Sequence, residues 1–438
     1  MNVEALLSIE RPGPPKTILI TDSITQLYHP NLLEDIMNGS GYTEFEVSRL
    51  DRMGDLTTRS ILPGVSSYPE RNIQKAIIVG FVTGPKLDEN GETLGEVIFP
   101  GDPIAHPVSM AERMHQIQLH LNSLLHHNPP WVQKTCLVLP HFESRSDRDA
   151  VPGEGVEVET LTDGLAGARR KVNFIVTLGD HSHRLHTHLA RNGIKHVSIS
   201  GNQFMAKKAC ELGLIDENTI IASPDIGAAR LADDFAIRCS KLANFTKPLE
   251  LLILNKTRNL QEVNQSQFQG ILRNVDVAGK RVIIRDDEGD SLRTNVNVIK
   301  ELKKRGAKSI ILIYTHAVHS KGAKDRLVNA IQDGLIDAVV VTDSRPHDFE
   351  NKYPQDVAQK IHVIKVGKLM GSVAASLLDN GLKATRKAFQ DYLFEQFMHP
   401  LAALREINWR RNGSNIFLYP SGVLFPNMRQ EGISLNAR

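Results

Sequence analysis

Two α/β domains, each a mostly parallel sheet flanked by helices, followed by a C-terminal extension, form the architecture that this 438-residue sequence predicts. Three observations predict it. Short apolar runs recur without polar alternation, the pattern of strands buried on both faces. Amphipathic stretches fall between them, and strand–helix alternation argues for parallel sheets with helices on both sides. The alternation occurs twice, with a break near residues 200–220.

The candidate strands of the first domain, residues 1–200, are 17–21, 76–82, 135–139, 174–178 and 196–199, with a helical pattern at 110–125. Residues 84–107 are rich in Gly, Pro and acids and read as a loop insertion, and 151–171 begin the same way. The second domain, 201–380, has strands at 219–222, 251–254, 281–284, 309–314, 338–342 and 362–365. Its helical patterns are 228–239, 295–305 and 324–333. The extension, 381–438, opens as an amphipathic helix with aromatics at Phe389, Tyr392, Phe394 and Phe397 and ends as an extra strand unit or an interface arm.

Composition narrows the function. Hydrophobic residues make up 41% and charged residues 23%, enough for a large core without covalent staples. The net charge of +2 leaves no field that attracts nucleic acid or an anionic membrane, so an anionic ligand needs a local site. Cys136, Cys210 and Cys239 form no CxxC pair, which argues against a disulfide framework or a thiolate zinc site and for a reducing compartment. The first residues lack the pattern of a secretion signal, and no apolar run approaches ~20 residues. A cytoplasmic location is expected.

Three strand ends carry candidate chemistry. Ligands of open α/β sheets sit at the carboxyl ends of strands. The strand 281–284 runs into 285–294, RDDEGDSLRT, where adjacent carboxylates are placed to bind ribose hydroxyls directly or through a metal. The following helix start favours a phosphate. Read alone, this is equally a solvated acidic turn with Ser291 or Thr294 as an ordinary helix cap. The strand 219–222 leads into Ser223-Pro224-Asp225-Ile226-Gly227, a carboxylate followed by small residues, or simply a capped helix start. After 251–254 come Lys256 and Arg258, two cations on a loop placed to clamp a polyphosphate, or a solvated turn. The histidine group His181, His183, His186 and His188 suits a transition metal less well than an exposed helix, because no cysteine or further ligand at fixed spacing joins it.

Taken together, IIASPDIGAARLADDFA, LLILNKTRN, NVDVAGKRVIIRDDEGDSLRT, ELKKRGAKSIILIYTHAVHS and IDAVVVTDSRP, within 219–378, resemble the ribose-phosphate diphosphokinase (phosphoribosyl diphosphate synthase) family. Upstream, LVLPHFESRSDR (137–148) looks like its arginine-bearing ATP loop, and FIVTLGDHSH (174–183) like the segment with its catalytic histidine. The resemblance implies a type I phosphoribosyltransferase-like fold and a homo-oligomer. It implies Mg2+-dependent transfer of the β,γ-diphosphate of ATP to the anomeric hydroxyl of ribose 5-phosphate, releasing AMP. It further implies Lys256, Arg258 and His181 as catalytic residues and His181 with Asp225 as the metal-positioning pair. Asp286 and Asp287 would hold the ribose hydroxyls, Asp290, Ser291, Arg293 and Thr294 the 5-phosphate, and Arg145 the nucleotide.

The sequence departs from that pattern in places. The residue before the acidic pair is usually apolar and here is Arg285. The phosphate loop usually carries small residues where Leu292 and Arg293 stand, a difference expected to crowd the 5-phosphate seat. The changes cluster at the acceptor end, so an acceptor extended beyond the 5-phosphate, such as ADP-ribose, is the alternative substrate. A catalytically silent regulatory relative is the non-enzyme alternative. No GxGxxG follows a strand, which disfavours a dinucleotide-binding dehydrogenase.

Overall fold

The computed structural model describes residues 16–52, 58–81, 96–98, 105–107, 110–125, 131–142, 157–167, 172–180, 184–258, 266–273, 275–320, 322–397, 411–412 and 415–418. The first half carries β1 (Lys16–Asp22), α1 (Ser23–Tyr28), α2 (Pro30–Ser40), β2 (Glu44–Arg52), β3 (Thr58–Ile61), β4 (Ile73–Val79), β5 (Glu96–Ile98), β6 (Ala105–Pro107) and α3 (Met110–Leu125). It continues with β7 (Lys134–Leu139), α4 (Glu157–Gly167), β8 (Phe174–Leu178), α5 (Arg184–Arg191), β9 (Lys195–Ile199) and α6 (Asn202–Glu211). The second half carries β10 (Ile220–Ser223), α7 (Ala229–Leu242), β11 (Glu250–Arg258), β12 (Ser266–Arg273), β13 (Arg281–Gly289), α8 (Arg293–Lys304), β14 (Ser309–Ala317), α9 (Ala323–Gln332) and β15 (Ala338–Thr342). Last come α10 (Phe349–Lys352), α11 (Gln355–Ala358), β16 (Ile361–Ile364), α12 (Gly367–Phe397), β17 (Arg411–Asn412) and β18 (Asn415–Leu418).

Two sheets result. One has the order β17-β18-β9-β8-β7-β4-β1-β2-β3, the other β12-β11-β10-β13-β14-β15-β16. The pairings are parallel except for β17–β18, β2–β3 and β11–β12 at the edges. The predicted fold class is therefore observed. The insertion read as loop holds the short antiparallel pair β5–β6. The strand unit of the tail adds to the first sheet, with β18 parallel to β9.

The strands show why their sequences do not alternate. In β14, Ile311 and Ile313 face one core while Ile310, Leu312 and Tyr314 face another. In β8, Phe174, Val176 and Leu178 face the first of these cores and Ile175 faces a third. The shared core is lined by both sheets and by α2, α6, α7 and α12, so one helical layer lies between the sheets. The helix α12 follows the second sheet in the chain but packs on α2 of the first half. The two backbones touch: a Cβ at Gly39 would collide with the Lys368 carbonyl, and one at Gly371 with the Ile36 carbonyl. Among the described residues, no helix is long and apolar enough to cross a membrane.

Candidate active site at facing strand ends

The second sheet brings the three motif segments together. In parallel register, β10 pairs with β11 (Ser223 with Ile253) on one side and with β13 (Ala222 with Ile284) on the other. The segments after β10, along the end of β11 and along the end of β13 therefore leave one edge of the sheet side by side.

Two local expectations change. Residues 255–258 are not a loop. They continue β11 and pair with β12, Lys256 opposite Phe268 and Arg258 opposite Ser266, because 266–273 supplies a second strand for a hairpin. The acidic run does not begin at a loop either. The strand β13 continues through Asp286 and Glu288 to Gly289, since β14 runs on beside it and pairs Asp286 with Tyr314 and Glu288 with His316. A Cβ at Gly289 would collide with the Tyr314 ring, so only glycine lets the two strands stay paired that far.

Asp286 and Asp287 are half-buried at this end. The Asp287 amide donates to Asp286 Oδ1 at 3.0 Å, and the Glu288 amide donates to Asp287 Oδ1 at 2.9 Å. Beneath them Arg285 is fully buried. Its Nε donates to Asn202 Oδ1 at 2.9 Å and its Nη2 to Thr315 Oγ1 at 3.0 Å. Burial pulls its pKa down to about 10, and Asp287, Asp286 and Asp234 oppose that pull. The departure noted in the sequence is thus a cation held under the acidic pair.

The phosphate loop also differs from expectation. Neither Ser291 nor Thr294 caps α8. The cap residue is Leu292, with φ 57° in the left-handed region and no side-chain cap, and the helix begins at Arg293 rather than 295. Leu292 is buried against the outer core of the second sheet, so its side chain points away from the loop rather than crowding it. Arg293 is exposed. From α9, Arg326 Nε donates to the Ser291 carbonyl at 2.6 Å. A trans peptide points its N–H opposite its C=O, so this bond turns the Leu292 amide away from Arg326 of α9. Thr294 lies in the first turn of α8.

Asp225 takes the role the plain reading gave it, in part. Its Oδ1 accepts the Ala228 amide at 3.0 Å at the start of α7, and its Oδ2 carries no hydrogen bond among the described residues. His181 and Arg145 lie outside the described residues, as do the side chains of Lys256, Arg258 and Thr294. The strand end before His181 is described: His316 Nε2 donates to the Leu178 carbonyl at 2.9 Å, bringing the end of β8 against the end of β14.

Sequence reasoning missed the residues that join the two sheets. His141, after β7, hydrogen-bonds Glu288 at 3.0 Å and Arg345 at 3.1 Å, and its ring packs at a tilt against His316, 4.1 Å between centroids. Burial drives the His316 imidazole well below its ordinary pKa. The clue in the sequence was the third acid of the run at Glu288; nothing local marked His141 or Arg345.

Comparison with known proteins agrees with this arrangement. Residues 252–380 match the phosphoribosyl synthetase-associated domain family. The ribose-phosphate pyrophosphokinase of Wolinella succinogenes is 30% identical over 253 residues, covering 56% of this chain and 69% of the relative. That of Thermosipho africanus is 27% identical over 326 residues, covering 74% of this chain and 92% of the relative. The crystal structure of phosphoribosylpyrophosphate synthetase from Mycobacterium smegmatis shares the fold, with TM-score 0.62 at 17% identity over 84% of this chain and 100% of that one. Paired sheets, three motif-bearing strand ends along one edge and these relatives lead to one conclusion: the chain belongs to the ribose-phosphate pyrophosphokinase family, whose members are diphosphotransferases.

Proposed function

We propose that this chain transfers the β,γ-diphosphoryl group of ATP to the anomeric hydroxyl of ribose 5-phosphate, giving phosphoribosyl diphosphate and AMP. The observation that carries the proposal is the adjacency of β11, β10 and β13, which gathers the Lys256–Arg258 segment, Asp225 and the Asp286–Asp287 pair at one sheet edge. The hydroxyl oxygen bonds to the β-phosphorus and gives up its proton to solvent, the bond from that phosphorus to the α,β-bridging oxygen breaks, and AMP leaves with the electron pair. Catalysis of such a step is mostly positioning and charge neutralisation. In this reading Lys256 and Arg258 neutralise the transferring group, with His181 and Asp225 beside it. Asp286 and Asp287 accept from the ribose 2- and 3-hydroxyls. Asp290, Ser291, Arg293 and Thr294, with the Leu292 amide, receive the 5-phosphate, and Arg145 contacts the nucleotide.

Magnesium fits this donor set. Among the described residues, no three or more His, Cys, Asp or Glu groups are arranged to hold a metal alone. Magnesium usually takes one or two carboxylates and completes its shell with phosphates and water, which is what Asp225 and the acidic pair offer. When bound, it supplies neutralising charge to the diphosphate.

One observation favours a second acceptor class. Arg293 is an exposed cation at the first position of α8, suited to a second phosphate as in ADP-ribose. Parallel reactions with ATP, Mg2+ and either ribose 5-phosphate or ADP-ribose separate the two by which one drives AMP release. Lys256→Ala should cut kcat by roughly a hundredfold or more, the scale for removing one transition-state charge contact. AMP release without any acceptor, or full turnover in that variant, would sink the proposal.

A further inference from the structure

We infer that His141 is a positioning residue: through Glu288 it sets the end of β13 that presents Asp286 and Asp287 to the acceptor. The inference rests on the reading of those two carboxylates as acceptor ligands.

The hydrogen-bond chemistry gives the contact a direction. A guanidinium only donates, so Arg345 Nη1, 3.1 Å from His141 Nδ1, makes that nitrogen an acceptor. The ring proton then sits on Nε2, which donates to Glu288 Oε1 at 3.0 Å. The His141 and Glu288 side chains are 2% and 8% exposed, so the bond forms where water has little access. The ring cannot easily turn away. It packs, tilted, against His316, which is itself fixed by donation to the Leu178 carbonyl at 2.9 Å and by acceptance from Ser344 Oγ at 2.7 Å.

The contact then passes to the site through the backbone. The amide of Glu288 donates to the Asp287 carboxylate, and the amide of Asp287 donates to that of Asp286. Loss of the His141 bond loosens Glu288, and any shift of its backbone reaches Asp287 first. In a strand, alternate side chains share a face, so Asp286 and Glu288 lie on one side of β13. The residue that fixes the acceptor carboxylates thus comes from the other sheet.

The test compares two variants of the full chain in acceptor-dependent AMP release. His141→Phe keeps a ring packed on His316 but neither hydrogen bond; His141→Gln keeps a donor for Glu288 and an acceptor for Arg345. The phenylalanine variant should raise the acceptor KM about ten- to a hundredfold, the size of a lost hydrogen bond to a charged group, with ATP KM and kcat within about threefold. The glutamine variant should stay within about threefold of wild type throughout. Should His141→Phe fail to fold, Glu288→Leu removes the same bond from the other side and should raise the acceptor KM by as much. A lowered Tm with an unchanged acceptor KM would show a mere clasp between sheets and overturn the inference. A wild-type protein that releases no acceptor-dependent AMP would overturn the reading beneath it, which is a different result.

Discussion

Two carboxylate-bearing strand ends in this molecule make opposite use of the same residue type. At the end of β1, Asp22 is buried and wholly engaged. Its oxygens accept the Thr25 amide and hydroxyl, each at 2.9 Å, and Arg113 at 3.0 Å. Burial pushes its pKa up, but Arg113 and the Thr25 amide and hydroxyl outweigh that, so the carboxyl stays below its ordinary value. At the end of β13, Asp286 and Asp287 are half-exposed, and the buried partner is the cation, Arg285. The difference teaches where chemistry is available. An anion surrounded by donors inside one domain holds a helix start; an anion at the surface over a buried cation is within reach of a ligand.

The sharpest way to break this comparison is to remove the two arginines. Arg113→Ala strands Asp22, 5% exposed at its side chain, without its countercharge. Breaking a buried pair from one side costs about 3–5 kcal/mol. Denaturant unfolding should show that loss, while the acceptor KM of the folded protein stays at its wild-type value. The pair Asp22→Asn with Arg113→Met should recover most of the stability, because no buried charge is then left alone. A small loss in Arg113→Ala would mean that Asp22 reaches water, and the contrast between the strand ends would fail.

Arg285→Met should behave the other way round. Its countercharges, Asp286, Asp287 and Asp234, are all half-exposed, so no buried anion is stranded. The stability loss comes from unmet acceptors at Asn202, Thr315 and the Asp286 and Ile313 carbonyls, about 1–3 kcal/mol each. The acceptor KM should move instead, by about tenfold, since the cation that fixes the acidic pair is gone. A KM unchanged beside a large stability loss would make Arg285 another Arg113.

Much of this was legible beforehand because it is local. Apolar runs such as 309–314 and 338–342 are buried on both faces, and that leaves no alternation to misread. The segments around Asp225, Lys256 and Asp286 stood out because each lies toward or just past the carboxyl end of a strand. What escaped has a common cause. Charged residues run through β2 (EFEVSRLDR), an edge-side strand, and β12 (SQFQGILR) is polar at its start and needs its hairpin partner to form. The buried contacts of Arg285, and the bridge from His141 to Glu288, join residues 83 and 147 positions apart, a separation no local pattern records.

The smallest expected effect concerns His120, which lies beside Asp22 and Arg113 and is buried with neither ring nitrogen hydrogen-bonded among the described residues. Burial lowers its pKa from 6.5 to about 4, with Asp22 acting against that shift and Arg113 with it. The folded state therefore keeps His120 neutral where the unfolded chain protonates it. A lowered histidine contributes stability that is complete above pH 6.5 and is lost as pH falls toward 4. The slope approaches roughly 1.4 kcal/mol per pH unit for one proton. The variant His120→Leu fills a similar volume and takes up no proton. Its unfolding free energy should match or exceed wild type at pH 7.5, and the gap in its favour should widen steadily from pH 6.5 down to 4. No such widening is expected at Asp22, whose carboxyl titrates below that window. Parallel curves for the variant and wild type would show that His120 reaches a proton-accepting partner or water in the folded state, and the strand end of β1 would then be as open to solvent as that of β13.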